Sequence, residues 1–154
     1  MKTLYATLLL ACLSAISHTS IAQSANTAYD STLAKKLNAD EYGMKKYVMV
    51  FLKTGSATNV PKSKSDSAFA GHMQNINHLA ETGKLVVAGP FFKNDKYRGI
   101  FILNADSIEE GRKLVETDPA VQAKLLDMDL LMWYGSAALS ETLEIHKKIE
   151  KKSH

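Results

Sequence analysis

Apolar residues fall in blocks along this chain, and the period of each block predicts an element. Tyr47-Val48-Met49-Val50-Phe51-Leu52 is a continuous apolar run of strand length, rich in residues that suit a pleated surface. A Ser/Thr/Gly/Pro/Lys stretch from Thr54 to Ser67 reads as a loop. Phe69, Met73, Ile76 and Ala80 then recur at helical spacing, with Leu79 beside them, and Gly83 suits the left-handed residue that ends a helix. Leu85-Val86-Val87-Ala88, closed by Gly89-Pro90, and Gly99-Ile100-Phe101-Ile102-Leu103 read as two strands of a hairpin. Ser107 with Glu110 forms a capping box that starts a second helix, served by Ile108, Leu114 and Val115. Asp118-Pro119 restarts that helix, with Asp as N-cap and Pro at the first helical position. Leu130 to Tyr134 is a fourth strand, and Ser140 to Lys148 suits a terminal helix before a basic tail.

The order is β-α-β-β-α-β, an α+β class of ferredoxin-like arrangement. All four strands are apolar at nearly every position, so both faces of the sheet need cover. Two helices cover one face only, and the other would leave a large apolar patch in water. A second copy packed sheet to sheet meets that need, which predicts a homodimer. The terminal helix folded back over the sheet is the rival explanation.

The N-terminal segment changes the setting. Met1-Lys2, an apolar run from Leu4 to Ile16, and Ser20-Ile21-Ala22 form a secretory signal over residues 1–22. That run is shorter than the roughly 20 residues needed to span a bilayer. The expected product is exported, periplasmic or secreted, with no integral membrane segment once the signal is removed. Leu9-Leu10-Ala11-Cys12 also resembles a lipobox, but the chain stays apolar after Cys12, which weakens that alternative. The expected divisions are the signal, a polar linker or loosely docked arm over 23–44, a domain over 45–135, and a C-terminal helix and tail over 136–154. Cys12 is the single cysteine, so the mature chain has no thiol for a disulfide, a nucleophile or a zinc site. Of 19 basic residues 18 remain after Lys2 is lost, against 16 acidic, a bias too small to imply nucleic acid.

Few residues offer chemistry. His72 and His78 share a helix, but six residues turn it by about 600°, leaving them about 120° apart and off the spacing of paired metal ligands. No metal is expected. His72 borders the apolar stripe, and imidazole both takes and gives a proton near neutral pH. A helix-edge histidine satisfied by a carbonyl or by water is the simpler account of it. Asp118 serves its helix as a cap, or it orients a histidine. Gly89 and Pro90 make a turn, or they let a ligand approach the backbone. Trp133 and Tyr134 suit a core or an interface. The chain has neither Gly-x-Ser-x-Gly nor a phosphate-binding glycine loop.

Several segments together resemble the YCII-related family. They are Tyr47 to Leu52, Gly71-His72-Met-Gln-Asn-Ile76, Glu81 to Phe92, Arg98 to Ile102, Thr117-Asp-Pro-Ala-Val121 and Met132-Trp-Tyr-Gly135. The resemblance implies a ferredoxin-like fold dimerising as an α+β barrel. It also implies a pocket holding a His–Asp pair, here His72 and Asp118, with Gly89 and Pro90 as binding positions. It implies no cofactor, and for some relatives a link to dehydrochlorination of hydroxylated aromatics or isomerisation of lactones. Lys124 stands where such relatives often have Gly, and Leu131-Met132 replaces a His-Pro pair. The leading expectation is a small-molecule acid–base enzyme of lyase or isomerase type. The alternatives are a non-catalytic small-molecule binder of the envelope and a purely structural dimer.

Overall fold

The computed structural model describes residues 26–152, so the expected signal segment and Cys12 lie outside the described residues. The chain runs α1 (Ser31–Lys36), β1 (Met44–Thr54), α2 (Lys62–Glu81), β2 (Leu85–Pro90), β3 (Tyr97–Leu103), α3 (Ile108–Val115), α4 (Pro119–Gln122) and β4 (Leu126–Ser136). A 3-10 turn at Ala137–Glu141 leads into α5 (Thr142–Ile149). The strands form one antiparallel sheet in the order β2-β3-β1-β4. This is the ferredoxin-like α+β topology that the order of apolar blocks predicts.

Alternate residues of each strand face opposite ways. On one face Val48, Val50 and Leu52 of β1 join Phe101 and Leu103 of β3 and Leu126 of β4. They pack with Leu79 of α2 and Val115 of α3 in the main core. Each such fully buried side chain contributes about 1.5–3 kcal/mol. Tyr47, Val86 and Ile102 form a second buried cluster on the far side, joined by Met49, Val87, Trp133 and Leu139.

The far face is covered in part. Leu139 of the 3-10 turn packs on that cluster, and the Tyr47 hydroxyl donates to the Ser136 carbonyl at 3.0 Å. The returning C-terminal segment therefore shelters the Tyr47 end, as the rival explanation holds. Further along, Met49, Phe51 and Ile100 are only half-buried and Leu131 is 55% exposed. That end has no cover among the described residues.

Several boundaries differ from the periodicity. Helix α2 begins at Lys62, inside the expected loop, because its first turns face water and carry no apolar stripe; Lys62 and Asp66 pair there at 2.6 Å. Strand β2 continues through Gly89 and Pro90, which are not a turn. Pro90 is tolerated because β2 is an edge strand. Gly83 has φ +69°, the left-handed residue expected after α2. Ser107 accepts from the Glu110 amide at 3.1 Å, while the Glu110 carboxylate accepts from the Asp106 amide, one residue before the expected partner.

The polar segment before β1 is docked. Asp30 caps α1 by accepting from the Thr32 and Leu33 amides, and Leu37 is buried. Asp40 accepts from the amides of Tyr42 and Met44 and from the Tyr134 hydroxyl, tying the arm to β4. Donation to that carboxylate is the main reason the Tyr134 hydroxyl is pushed up to about 12, and the same bond holds Asp40 below its usual range.

Lys124 follows α4 with φ +57°, in the left-handed region that disfavours a Cβ. A glycine at this position would relieve this. Lys124→Gly is expected to raise unfolding stability by about 1 kcal/mol, measured by urea denaturation; a loss of stability would contradict this reading of the turn.

Candidate functional site

The inner line of α2 is Phe69, His72, Ile76 and Leu79, at spacings of 3, 4 and 3. Phe69 and Ile76 pack on the core, Leu79 is buried, and Met73 is 41% exposed. His72 thus lies in the buried stripe, whereas the sequence pattern sets it at the border and Met73 inside. A polar residue on a core line is invisible to a count of apolar positions. The His72 ring stacks on Phe101 of β3 with centroids 5.9 Å apart, and it meets Phe69 edge to face at 6.1 Å.

Asp118 lies beneath α2 because the chain must restart its helix there. Its backbone is extended, as an N-cap requires, and Oδ1 accepts from the Ala120 amide at 2.8 Å. Oδ2 accepts from His72 Nδ1 at 2.5 Å. The carboxylate is wholly buried, and the imidazole side chain is 14% exposed. One side chain therefore makes both contacts: each oxygen has its own partner. An unpaired carboxylate in such a place would cost several kcal/mol.

An ionised carboxylate only accepts, so against it the proton of the contact sits on Nδ1 and Nε2 is the ring nitrogen turned away from Asp118. Among the described residues Nε2 has no hydrogen-bond partner, and it is not among the enclosed polar atoms that lack one. The exposed strand end beginning at Ala88 borders Phe101, its partner in the β2–β3 ladder. Gly89 and Pro90 continue that strand opposite Ile100 and Gly99, and neither hydrogen-bonds to His72. The structure thus brings His72 and Asp118 into contact and leaves Gly89 and Pro90 on the neighbouring edge.

Sequence reasoning missed the residues that hold this pair. Phe101 stacks on the ring and Phe69 meets it edge to face, and the Thr117 hydroxyl, which donates to the Leu114 carbonyl at 2.7 Å, lies 3.0 Å from the Asn75 amide, one residue from Asp118. Asn75 lies one turn beyond His72, and turning its amide so that Nδ2 donates to Thr117 Oγ1 pairs its buried nitrogen. The i,i+3 spacing of Phe69 and His72 was the available signal for their edge contact; the other contacts are tertiary.

Two concavities mark the surface. One of about 510 Å³ lies between β4 and the start of α3, lined by Lys46, Ile108, Met132 and Tyr134 among others. The other, of about 520 Å³, lies on α2 against Gly71 and Pro119. Neither is lined by His72 or Asp118. Among the described residues no three His, Cys, Asp or Glu side chains gather to hold a metal, and no helix is long and apolar enough to cross a membrane.

The model of the YCII-related domain matches residues 46–133, more than half of the chain and including both His72 and Asp118. The chain belongs to the YCII-related domain family. It is similar to the uncharacterised protein YjpA of Bacillus subtilis (strain 168), 30% identical over 64 residues, which are 42% of this chain and 73% of that protein. Among solved structures, it is similar to the 5-chloro-2-hydroxyhydroquinone dehydrochlorinase TftG of Burkholderia phenoliruptrix AC1100 in complex with 2,5-dihydroxybenzoquinone. That match has a TM-score of 0.42 and 22% identity, covering 56% of this chain and 92% of that one.

Replacing Asp118 separates its tasks. Asp118→Ala removes the cap and the charged partner together, a loss of roughly 2–4 kcal/mol. Asp118→Asn caps nearly as well and is expected to cost less than about 1 kcal/mol. Urea unfolding of both variants checks this, and an alanine variant within about 0.5 kcal/mol of wild type would contradict the described contacts.

Proposed function

We propose that this chain is an acid–base enzyme of lyase or isomerase type acting on a small molecule. The observation that carries the reading is the 2.5 Å contact from His72 Nδ1 to a wholly buried Asp118, with Nε2 directed away from it. In this role Nε2 removes a proton from the substrate and returns it to another atom or to the leaving group. Asp118 fixes the tautomer that leaves Nε2 unprotonated and stabilises the charge the ring gains. Gly89 and Pro90, on the strand beside Phe101, line the approach to the ring. The reaction so written needs no cofactor. Hydroxylated aromatics and lactones, the substrate classes that the family resemblance implies, are the first to screen.

The same proposal includes an exported homodimer. The charged start, apolar run and small residues before Gln23 support export, and the half-covered apolar end of the sheet supports pairing through Met49, Phe51, Ile100 and Leu131. Burying that patch against its copy gives each sheet the second layer it lacks.

Two experiments follow. With a substrate found by screening, His72→Ala is expected to lower kcat by about 10²–10⁴-fold. Asp118→Asn should also lose activity while staying folded, because an amide directed at Nδ1 favours the other tautomer. Retained turnover in His72→Ala would refute the enzyme reading, and tight binding without product would favour the binder. Separately, the secreted chain should begin at Gln23 and sediment as a dimer, and Leu131→Glu should sediment as a folded monomer. An uncleaved N-terminus would refute export by signal removal. A wild-type monomer, or a dimer unaffected by Leu131→Glu, would refute pairing through this face.

A further inference from the structure

The contact between His72 and Asp118 is flanked by an unusually close approach of two elements. A Cβ built on Gly71 would lie 2.7 Å from Pro119 Cγ and 3.0 Å from its Cβ. Real Cβ atoms essentially never come that near a neighbour, so one of the two elements would have to move. Pro119 has little freedom to yield, because its ring is closed onto the backbone at the first position of α4. Its neighbour Asp118 is held to the same turn through Ala120. On the other side of the pair, Asn75 and Thr117 touch at 3.0 Å. Residues 119, 118 and 117 therefore meet residues 71, 72 and 75 in succession. The order of contacts registers the turn against the helix.

We propose that Gly71 is a positioning residue: its missing side chain seats Pro119 on α2 and so places the Asp118 carboxylate on His72 Nδ1. What this placement achieves chemically rests on the acid–base reading above; the placement itself does not. A methyl at position 71 pushes the Asp118-Pro119 turn away from α2. His72 stays on its own helix and loses its partner. Gly71 lies on the helix outside the sheet core, beside the concavity on α2, so the displacement is taken up at the surface.

The test is proton NMR of the folded chain, reading the ring Nδ1–H of His72 as a downfield, slowly exchanging resonance that Asp118→Ala abolishes. Gly71→Ala is expected to lose that resonance, and Gly71→Ala with Pro119→Gly, which removes both the Cγ and the Cβ in the way, to regain it. If Gly71→Ala alone does not fold, a folded double variant that shows the resonance supports the proposal equally. A resonance unchanged in Gly71→Ala overturns it. So does a double variant that folds without the resonance or stays unfolded, and so does a wild-type chain that lacks the resonance. Loss and recovery of the resonance with turnover unchanged would leave the positioning role standing and refute the acid–base reading. Loss of resonance and turnover together, both recovered in the double variant, supports both.

Discussion

The Asp118 carboxylate is the constraint on which the candidate site depends. It is wholly buried, and a charge in that place persists only if its oxygens are satisfied. One oxygen ends the backbone of the preceding segment by capping α4, and the other receives the imidazole of a helix 46 residues away. The cap is local chemistry written in Asp-Pro; the imidazole contact is tertiary. Because both use the same side chain, the turn that starts α4 and the orientation of His72 are a single structural event. Phe101, stacked on the ring, and Phe69, edge to face with it, then pack the imidazole.

This coupling explains what the sequence discloses and what it conceals. Strands were legible because β-rich apolar runs of this length have few other uses, and the topology followed from their order. The capping residues Ser107 and Asp118 were legible because their chemistry is confined to a few neighbours. His72 was displaced to the edge of its stripe because a pattern of apolar positions has no place for a buried polar ring. The start of α2 was hidden for the converse reason: Lys62 to Ser67 face water, so nothing in their periodicity distinguishes helix from loop. The arm before β1 is polar in composition, yet Asp40 and Leu37 tie it down through contacts with distant residues. The choice between a cap and a His partner for Asp118 was posed as exclusive, and a carboxylate has two oxygens.

The two faces of the sheet divide the work. One carries α2, α3 and α4 and, between helix and sheet, the histidine. The other is apolar, sheltered at the Tyr47 end by the C-terminal segment and bare towards Leu131. The chain belongs to the YCII-related domain family, and a fold alone does not fix what a site does. In this chain the geometry is a buried carboxylate against one ring nitrogen of His72.

The most direct test is a double-mutant cycle of unfolding free energy on His72→Ala and Asp118→Ala. Removing each partner alone and then both isolates their mutual interaction from the cap and from the aromatic packing. A hydrogen bond to a buried charge predicts a coupling of about 1.5–3 kcal/mol. Effects that simply add, within about 0.5 kcal/mol, would contradict the claim that one carboxylate joins helix and histidine.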